Sequence, residues 1–461
     1  MAPASASRPA SVSRWPFSSF GIQVLSGMVF GLVLGLVVRE IGPQADGSAN
    51  WLSQALAIIG STFVQLLRTI VPALVFTAIV ASIANLRQLA NAAKLVWDTL
   101  LWFAVTALIA VVIGIVLGLT IQPGLHTEVT AAAAAAPRSS GAWLDFLRGL
   151  IPSNVLALEA STKVYDSGTA EINAKTALNF NVLQLLVISI AIGTAALQVG
   201  GKADVFLAFN RSALDIVRKI LWWVIRLTPL GTVGLLGTAV GQYGWDALAK
   251  LGAFAAAVYI GLAIVLLIVY PVLLALNGLN PLRFFEGAWP AIQLAFVSRS
   301  SIGTLPVTQA VTEANLGVPT EYAAFAIPLG ATTKMDGCAA IYPAISAIFV
   351  AEFYGIPLHA TDYGLIVFVS VLGSAATAGV TGAVVMLTLT LSTLGLPLQG
   401  AGLLLAIDPI LDMGRTAVNV AGQALIPTIV AKRQGILDQA VYDERATGVQ
   451  FGEPEAVPGR T

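Results

Sequence analysis

Charge is what this chain has least of. Only 10% of its 461 residues are Asp, Glu, Lys or Arg, against about 25% in an ordinary soluble domain. Acidic and basic residues balance at 24 each, so no basic field for a nucleic-acid partner exists. Cysteine is nearly absent. Cys338 stands alone, which excludes an internal disulfide and a cysteine-based zinc site. The two histidines, His126 and His359, are far apart and without metal-ligand spacing. No metal site and no cofactor is expected. There is no Ser/His/Asp order and no phosphate-binding glycine loop, so an enzyme is not expected.

Apolar sequence is abundant. Hydrophobic residues make up 57% of the chain and mean hydropathy is +0.84. The uncharged runs far exceed the ~10-residue alternating strands of an outer-membrane barrel. The composition therefore predicts an all-α polytopic membrane protein whose immediate partner is a lipid bilayer.

Residues 1–16, rich in Ser, Pro and Arg, read as a disordered N-terminus, and the run Phe17–Val38 lacks a small-residue cleavage pattern. Residues 17–122 hold helices 1–3. Residues 123–176 read as an extramembrane connection with short helices, and 177–279 as helices 4–6, the fifth broken near Pro229. Residues 280–433 form a core of different character, followed by a cytoplasmic tail, 434–461. In the core an apolar half-span, 287–297, ends in the polar Ser298–Thr304, and a second short arm runs to about 313. A helix over 321–351 is interrupted at 330–337. From Tyr363 to Ile407 there are 45 residues without a charge, cut by a Gly/Ser/Thr stretch at 373–382; one span needs only about 20. The last helix is expected over 401–431. The prediction is eight transmembrane helices plus two re-entrant helical hairpins arranged as inverted repeats. Lys and Arg cluster at Arg8, Arg14, Arg87, Lys94, Lys202, Arg211, Arg218, Lys219, Lys432 and Arg433, with none at 40–50. The positive-inside rule then puts both termini in the cytoplasm of an inner (plasma) membrane protein.

Within that last helix Asp408, Asp412, Arg415, Asn419 and Gln423 follow at steps of 4, 3, 4 and 4 residues. At about 100° per residue they share one side. A charge in hydrocarbon costs roughly 2.5–3.5 kcal/mol on insertion scales, so this face should meet a polar cavity. Carboxylates, a guanidinium and amides are suited to an anionic or zwitterionic solute.

The core motifs resemble those of the dicarboxylate/amino acid:cation symporter family, prokaryotic relatives of glutamate transporters. The carriers of the likeness are Ser298-Arg299-Ser300-Ser301, Lys334-Met335-Asp336-Gly337, Thr377-Ala378-Gly379-Val380 and Asp412-Met413-Gly414-Arg415-Thr416-Ala417-Val418-Asn419. The resemblance implies a homotrimer working by an elevator motion, with an acidic amino acid, aspartate or glutamate, as substrate. Under it Asp412 binds the α-amino group, Arg415 a side-chain carboxylate and Asn419 the α-carboxylate. Thr416, Ser301, Gly379, Val380 and Cys338 complete the cage, and Thr377, Gly379 and Gly382 belong to the gate.

The departures concern cations. The family's sodium sites use an asparagine and a carboxylate where this chain has Lys334 and Gln423, and third-helix oxygens where it has Phe103, Thr106 and Ala107. Arg299, Lys334 and Arg415 balance Asp336, Asp408 and Asp412, so the inner charge sums to zero. Lys334 is therefore expected to replace a bound cation, with sodium-independent transport coupled to protons or running as exchange. The alternatives are a sodium symporter using a remaining site of backbone carbonyls, a C4-dicarboxylate carrier, and a channel.

Overall fold

The computed structural model describes residues 20–44, 48–86, 92–127, 151–166, 172–242, 251–373, 382–405 and 407–444. Three long helices come first: α1 (Phe20–Ile41), α2 (Trp51–Leu86) and α3 (Ala92–Ile121). After β1 (Leu158–Asp166) and β2 (Ile172–Phe180) come α4 (Val182–Val199), α5 (Asp204–Ile225) and α6 (Thr228–Gln242). Helix α7 runs Gly252–Leu276 with a π-turn at Val265–Val269. Among the described residues, five helical stretches are long and apolar enough to cross a membrane. This is a multi-pass membrane protein.

Two expectations change here. The described part of the 123–176 connection holds no short helix but most of an antiparallel ribbon, paired from Leu158↔Phe180 to Asp166↔Ile172. Its strands are set by alternating side chains and by Thr162, Val164, Tyr165, Ile172 and Thr176, types that favour an extended chain. The fold is therefore mostly helical rather than all-α, and β2 runs past residue 176 before α4 begins.

Helix α1 lies on α6 through small residues. A Cβ on Gly31 would stand 2.9 Å from the Val233 carbonyl oxygen, so only glycine permits this approach.

The core segment consists of shorter pieces. Helices α8 (Pro281–Ser298) and α9 (Ser301–Ala314) pack against each other. The chain reverses between them at Arg299, whose φ of 53° is left-handed, a region that a non-glycine residue enters only when its surroundings hold it there. The Ser300 hydroxyl accepts the Gly303 amide at 3.0 Å and caps α9. Helix α10 (Thr320–Thr333) stops at Lys334 and Met335. The chain resumes with a π-turn, Asp336–Ile341, leading into α11 (Tyr342–Phe353). Helices α12 (Ala360–Gly373) and α13 (Gly382–Thr393) pack together. The segment between them, with Thr377, Gly379 and Val380, lies outside the described residues.

The final helix also differs from expectation. Instead of one helix over 401–431 there are α14 (Gln399–Leu405) and α15 (Asp408–Arg433). Pro409 occupies an early position where a missing N–H costs nothing. Asp408 is thus the first residue of α15, where a carboxylate meets the positive end of the helix dipole. Lys432 and Arg433 complement the other end. From Met413 to Ala431 every residue of α15 is buried, so its polar face is enclosed by protein. A short α16 (Gln439–Asp443) follows, docked where the Asp438 amide donates to the Gly317 carbonyl at 2.8 Å.

Candidate functional site

The polar face of α15 is divided into two parts. Asp408 and Asp412 keep 20% and 25% of their side chains exposed, while Arg415 is fully enclosed. Arg415 Nη2 donates to Asp408 Oδ1 at 2.7 Å and stands 3.3 Å from Asp412 Oδ1. Its guanidinium stacks on Tyr342, 4.0 Å from the ring centroid. Asp412 Oδ1 also accepts the Thr416 hydroxyl at 3.3 Å and the Cys338 thiol at 3.8 Å. Arg415 Nε and Nη1 are buried with no hydrogen-bond partner among the described residues. Such donors are costly to leave unmet, so this corner is chemically incomplete as it stands.

One turn deeper, Asn419 closes the break in the α10–α11 segment. Its Oδ1 accepts the Gly337 amide at 2.8 Å and the Cys338 amide at 3.4 Å. With the carbonyl end engaged, the chemistry left to this side chain is donation from Nδ2.

Below it lies the second cluster. The Lys334 ammonium is ion-paired with the Asp336 carboxylate, and both side chains are essentially unexposed. The Tyr270 hydroxyl donates to Asp336 Oδ2 at 2.9 Å. Gln423 Nε2 donates to the Lys334 carbonyl at 3.1 Å. A Cβ on Gly422 would stand 2.9 Å from Lys334 Nζ, so glycine at this position lets the ammonium reach α15. Asp336 Oδ1 and Gln423 Oε1 have no hydrogen-bond partner among the described residues. Thr106 is not part of this arrangement through any hydrogen bond shown: its hydroxyl turns back to the Trp102 and Phe103 carbonyls of its own helix. Phe103 instead packs at Gly330, beside Gln423.

The structure brings Asp408, Asp412, Arg415, Thr416, Asn419, Cys338, Lys334, Asp336 and Gln423 into two adjoining clusters. Ser301 opens α9 beside the Arg299 turn, where Arg299 is exposed rather than one of the enclosed charges that the sequence suggested. Gly382 opens α13. Among the described residues no group of three or more His, Cys, Asp or Glu is placed to hold a metal ion. Three aromatic partners were not foreseen. Tyr342 stacks on Arg415, Tyr270 holds Asp336, and the Tyr259 hydroxyl donates to the Ile410 carbonyl at 2.6 Å. All three lie in uncharged apolar sequence, where periodicity does not separate a tyrosine that packs from one that binds. The one hint was Tyr342 at one turn beyond Cys338.

A polar site walled by broken helices inside a multi-pass membrane protein defines a solute transporter rather than an enzyme. The family profile of the sodium:dicarboxylate symporters matches residues 20–433, and the chain belongs to that family. An L-cystine uptake protein, TcyP, of Bacillus licheniformis is 30% identical over 452 residues, covering 95% of this chain and 94% of that protein. The TcyP of Shouchella clausii is 30% identical over 443 residues, covering 92% and 91%. That of Bacillus thuringiensis is 29% identical over 445 residues, covering 95% and 92%.

These relatives overturn the expected substrate. They are named for uptake of L-cystine, not of an acidic amino acid or a dicarboxylate. The geometry supplies a physical reason. Arg415 was assigned to clamp a side-chain carboxylate, but it already faces two carboxylates, Asp408 and Asp412. Together the three groups carry a charge of −1, so Arg415 is not a free cation awaiting an unpaired side-chain carboxylate, whereas a head that brings its own ammonium adds no net charge.

Proposed function

We propose that this protein is a secondary transporter that carries L-cystine across the cell's inner (plasma) membrane. The observation that carries the reading is the charge set around the polar face of α15. The buried Lys334 and Arg415, with Arg299 exposed at the nearby turn, stand against Asp336, Asp408 and Asp412, and cystine at neutral pH is likewise neutral overall, with two ammonium and two carboxylate groups. The names of the relatives point the same way. In this reading Asp412 receives an α-ammonium group and Asn419 Nδ2 an α-carboxylate. Arg415 supplies its unmatched donors, and Thr416, Ser301 and Cys338 line the cage with Gly379 and Val380. Thr377, Gly379 and Gly382 form the gate.

The architecture proposed with it has eight spans, two re-entrant hairpins (α8–α9 and α12–α13) and both termini in the cytoplasm. It works as a homotrimer whose core segment moves as an elevator. Lys334 acts as a tethered cation. Its ammonium, already in contact with Asp336, takes the charge and volume of a bound monovalent ion, with Gln423 and Tyr270 supporting the pair.

Uptake of labelled L-cystine into liposomes containing the purified full chain tests the reading. Saturable uptake, competed by unlabelled L-cystine and not by L-aspartate or succinate, is expected. Absence of cystine uptake, with competition by aspartate, rejects it.

A further inference from the structure

Cystine carries two amino-acid heads, and one α-ammonium acceptor, Asp412, leaves the second head unanswered. Asp408 lies one helical turn above Asp412 on the same partly open face of α15. A turn rises about 5.4 Å. The α-carbons joined through a disulfide stand about 4.4–6.8 Å apart. Asp408 Oδ1 and Asp412 Oδ1 stand 2.7 and 3.3 Å from the same Arg415 nitrogen, so the two carboxylates are close enough to meet the two heads of one folded cystine.

We infer that Asp408 and Arg415 form the receptor for the second amino-acid head, and that Asp408 makes the site select a two-headed substrate over a one-headed one. This inference rests on the cystine reading above. Asp408 Oδ1 is held by Arg415 Nη2 at 2.7 Å, which fixes the carboxylate and leaves its other oxygen for an ammonium. Arg415 Nε and Nη1, buried and unmatched among the described residues, supply donors for the accompanying carboxylate. A guanidinium is suited to that task by its planar fork. The first head uses Asp412 and Asn419, so each head meets one acceptor and one donor from the same helix. Stacking on Tyr342 keeps the shared guanidinium from swinging away.

The test compares affinities for L-cystine and for S-methylthio-L-cysteine, which keeps the disulfide and has a single head. It uses the purified full chain in liposomes, with competition against labelled cystine and with binding to each variant. Wild type should prefer cystine clearly. Asp408→Asn should cut that preference by roughly 10- to 100-fold, the worth of one charge-assisted contact. Asp412→Asn should weaken both ligands and leave the preference within about two-fold, because both use the first head. Asp408→Glu should restore much of it. Equal affinity of wild type for the two ligands overturns the inference without any variant, and so does an Asp408→Asn protein whose preference is unchanged. Thermal unfolding of each variant separates loss of folding from loss of recognition. Wild type that binds no cystine at all defeats the functional reading itself, an outcome distinct from cystine binding without discrimination.

Discussion

Asn419 on α15 and Gly337 after the break in α10 are joined by one hydrogen bond, the side-chain Oδ1 accepting the backbone amide at 2.8 Å. A broken helix leaves amides without intrahelical partners, and hydrocarbon offers no water to replace them. Asn419 therefore ties the unwound chain to the helix that carries the charges. Asn419→Ala is expected to destabilise the protein by about 1–3 kcal/mol, because it strands the Gly337 amide, and to lower uptake with it. Thermal unfolding in detergent is the measurement. A melting temperature equal to wild type would show that the bond contributes nothing.

Lys334 and Asp336 should behave as a unit. Removing one partner of a buried ion pair leaves an uncompensated charge, at a cost of about 3–5 kcal/mol, whereas removing both is far milder. Lys334→Met and Asp336→Asn should each melt well below wild type, and the double variant should recover much of the loss. Additive losses in the double variant would contradict a mutual pair.

Gly422 offers a steric check on the same cluster. Adding a Cβ places it against Lys334 Nζ, 2.9 Å away, and against the Tyr270 hydroxyl, 2.5 Å away. Both atoms end side chains that meet the Asp336 carboxylate, so a methyl group has to displace that cluster, and Gly422→Ala should cost about 1–3 kcal/mol, as overpacking does, and should depress uptake. A variant with wild-type stability and transport would mean that the ammonium has slack around it.

Cys338 is 6% exposed and lies at the edge of the Asp412 cluster. Its weak contact to Asp412 makes Cys338→Ser a small change, expected to keep uptake within a few-fold. A small methanethiosulfonate reagent should label the wild-type thiol slowly, and saturating L-cystine should slow it further. Labelling that ignores cystine would place the thiol away from the bound solute.

The C-terminal segment carries a pH prediction. The Tyr442 hydroxyl donates to the Asn280 carbonyl at 2.9 Å. Burial, reinforced by the Asp443 charge, pushes its pKa up from the usual tyrosine value. A raised acid favours the folded state fully below the unfolded pKa of about 10, and the contribution is lost as pH rises through the folded value. Stability should therefore fall above about pH 10. Tyr442→Phe should flatten that loss and cost about 1 kcal/mol at neutral pH. Unfolding midpoints between pH 7 and 11 decide it, and an unchanged alkaline slope in Tyr442→Phe would refute the assignment.

How much of the site was visible beforehand differs residue by residue. Asp408, Asp412, Arg415, Asn419 and Gln423 were legible because helical spacing is a local property, and a helix must present such a row on one side. The interruption at Lys334–Gly337 was equally legible, since polar and glycine residues inside an apolar run mark a broken span. The β1–β2 ribbon was missed because its short alternating stretches lie beside an alanine-rich run that reads as helix-prone. The start of α15 at Asp408 was missed because the uncharged run Tyr363–Ile407 gave no end signal.

The sequence by itself determined that the chain crosses a membrane repeatedly and that one helix carries a polar face. Composition and periodicity suffice for both. Only the tertiary structure decided whom each charge meets. Arg415 is shared between Asp408 and Asp412, Lys334 is held by Asp336 under the Tyr270 hydroxyl, and Asn419 fastens an unwound turn 82 residues away in the chain. These partners are remote in sequence or one of several local choices. Chain order does not encode which of them the packing of α7, α10, α11 and α15 will bring within reach.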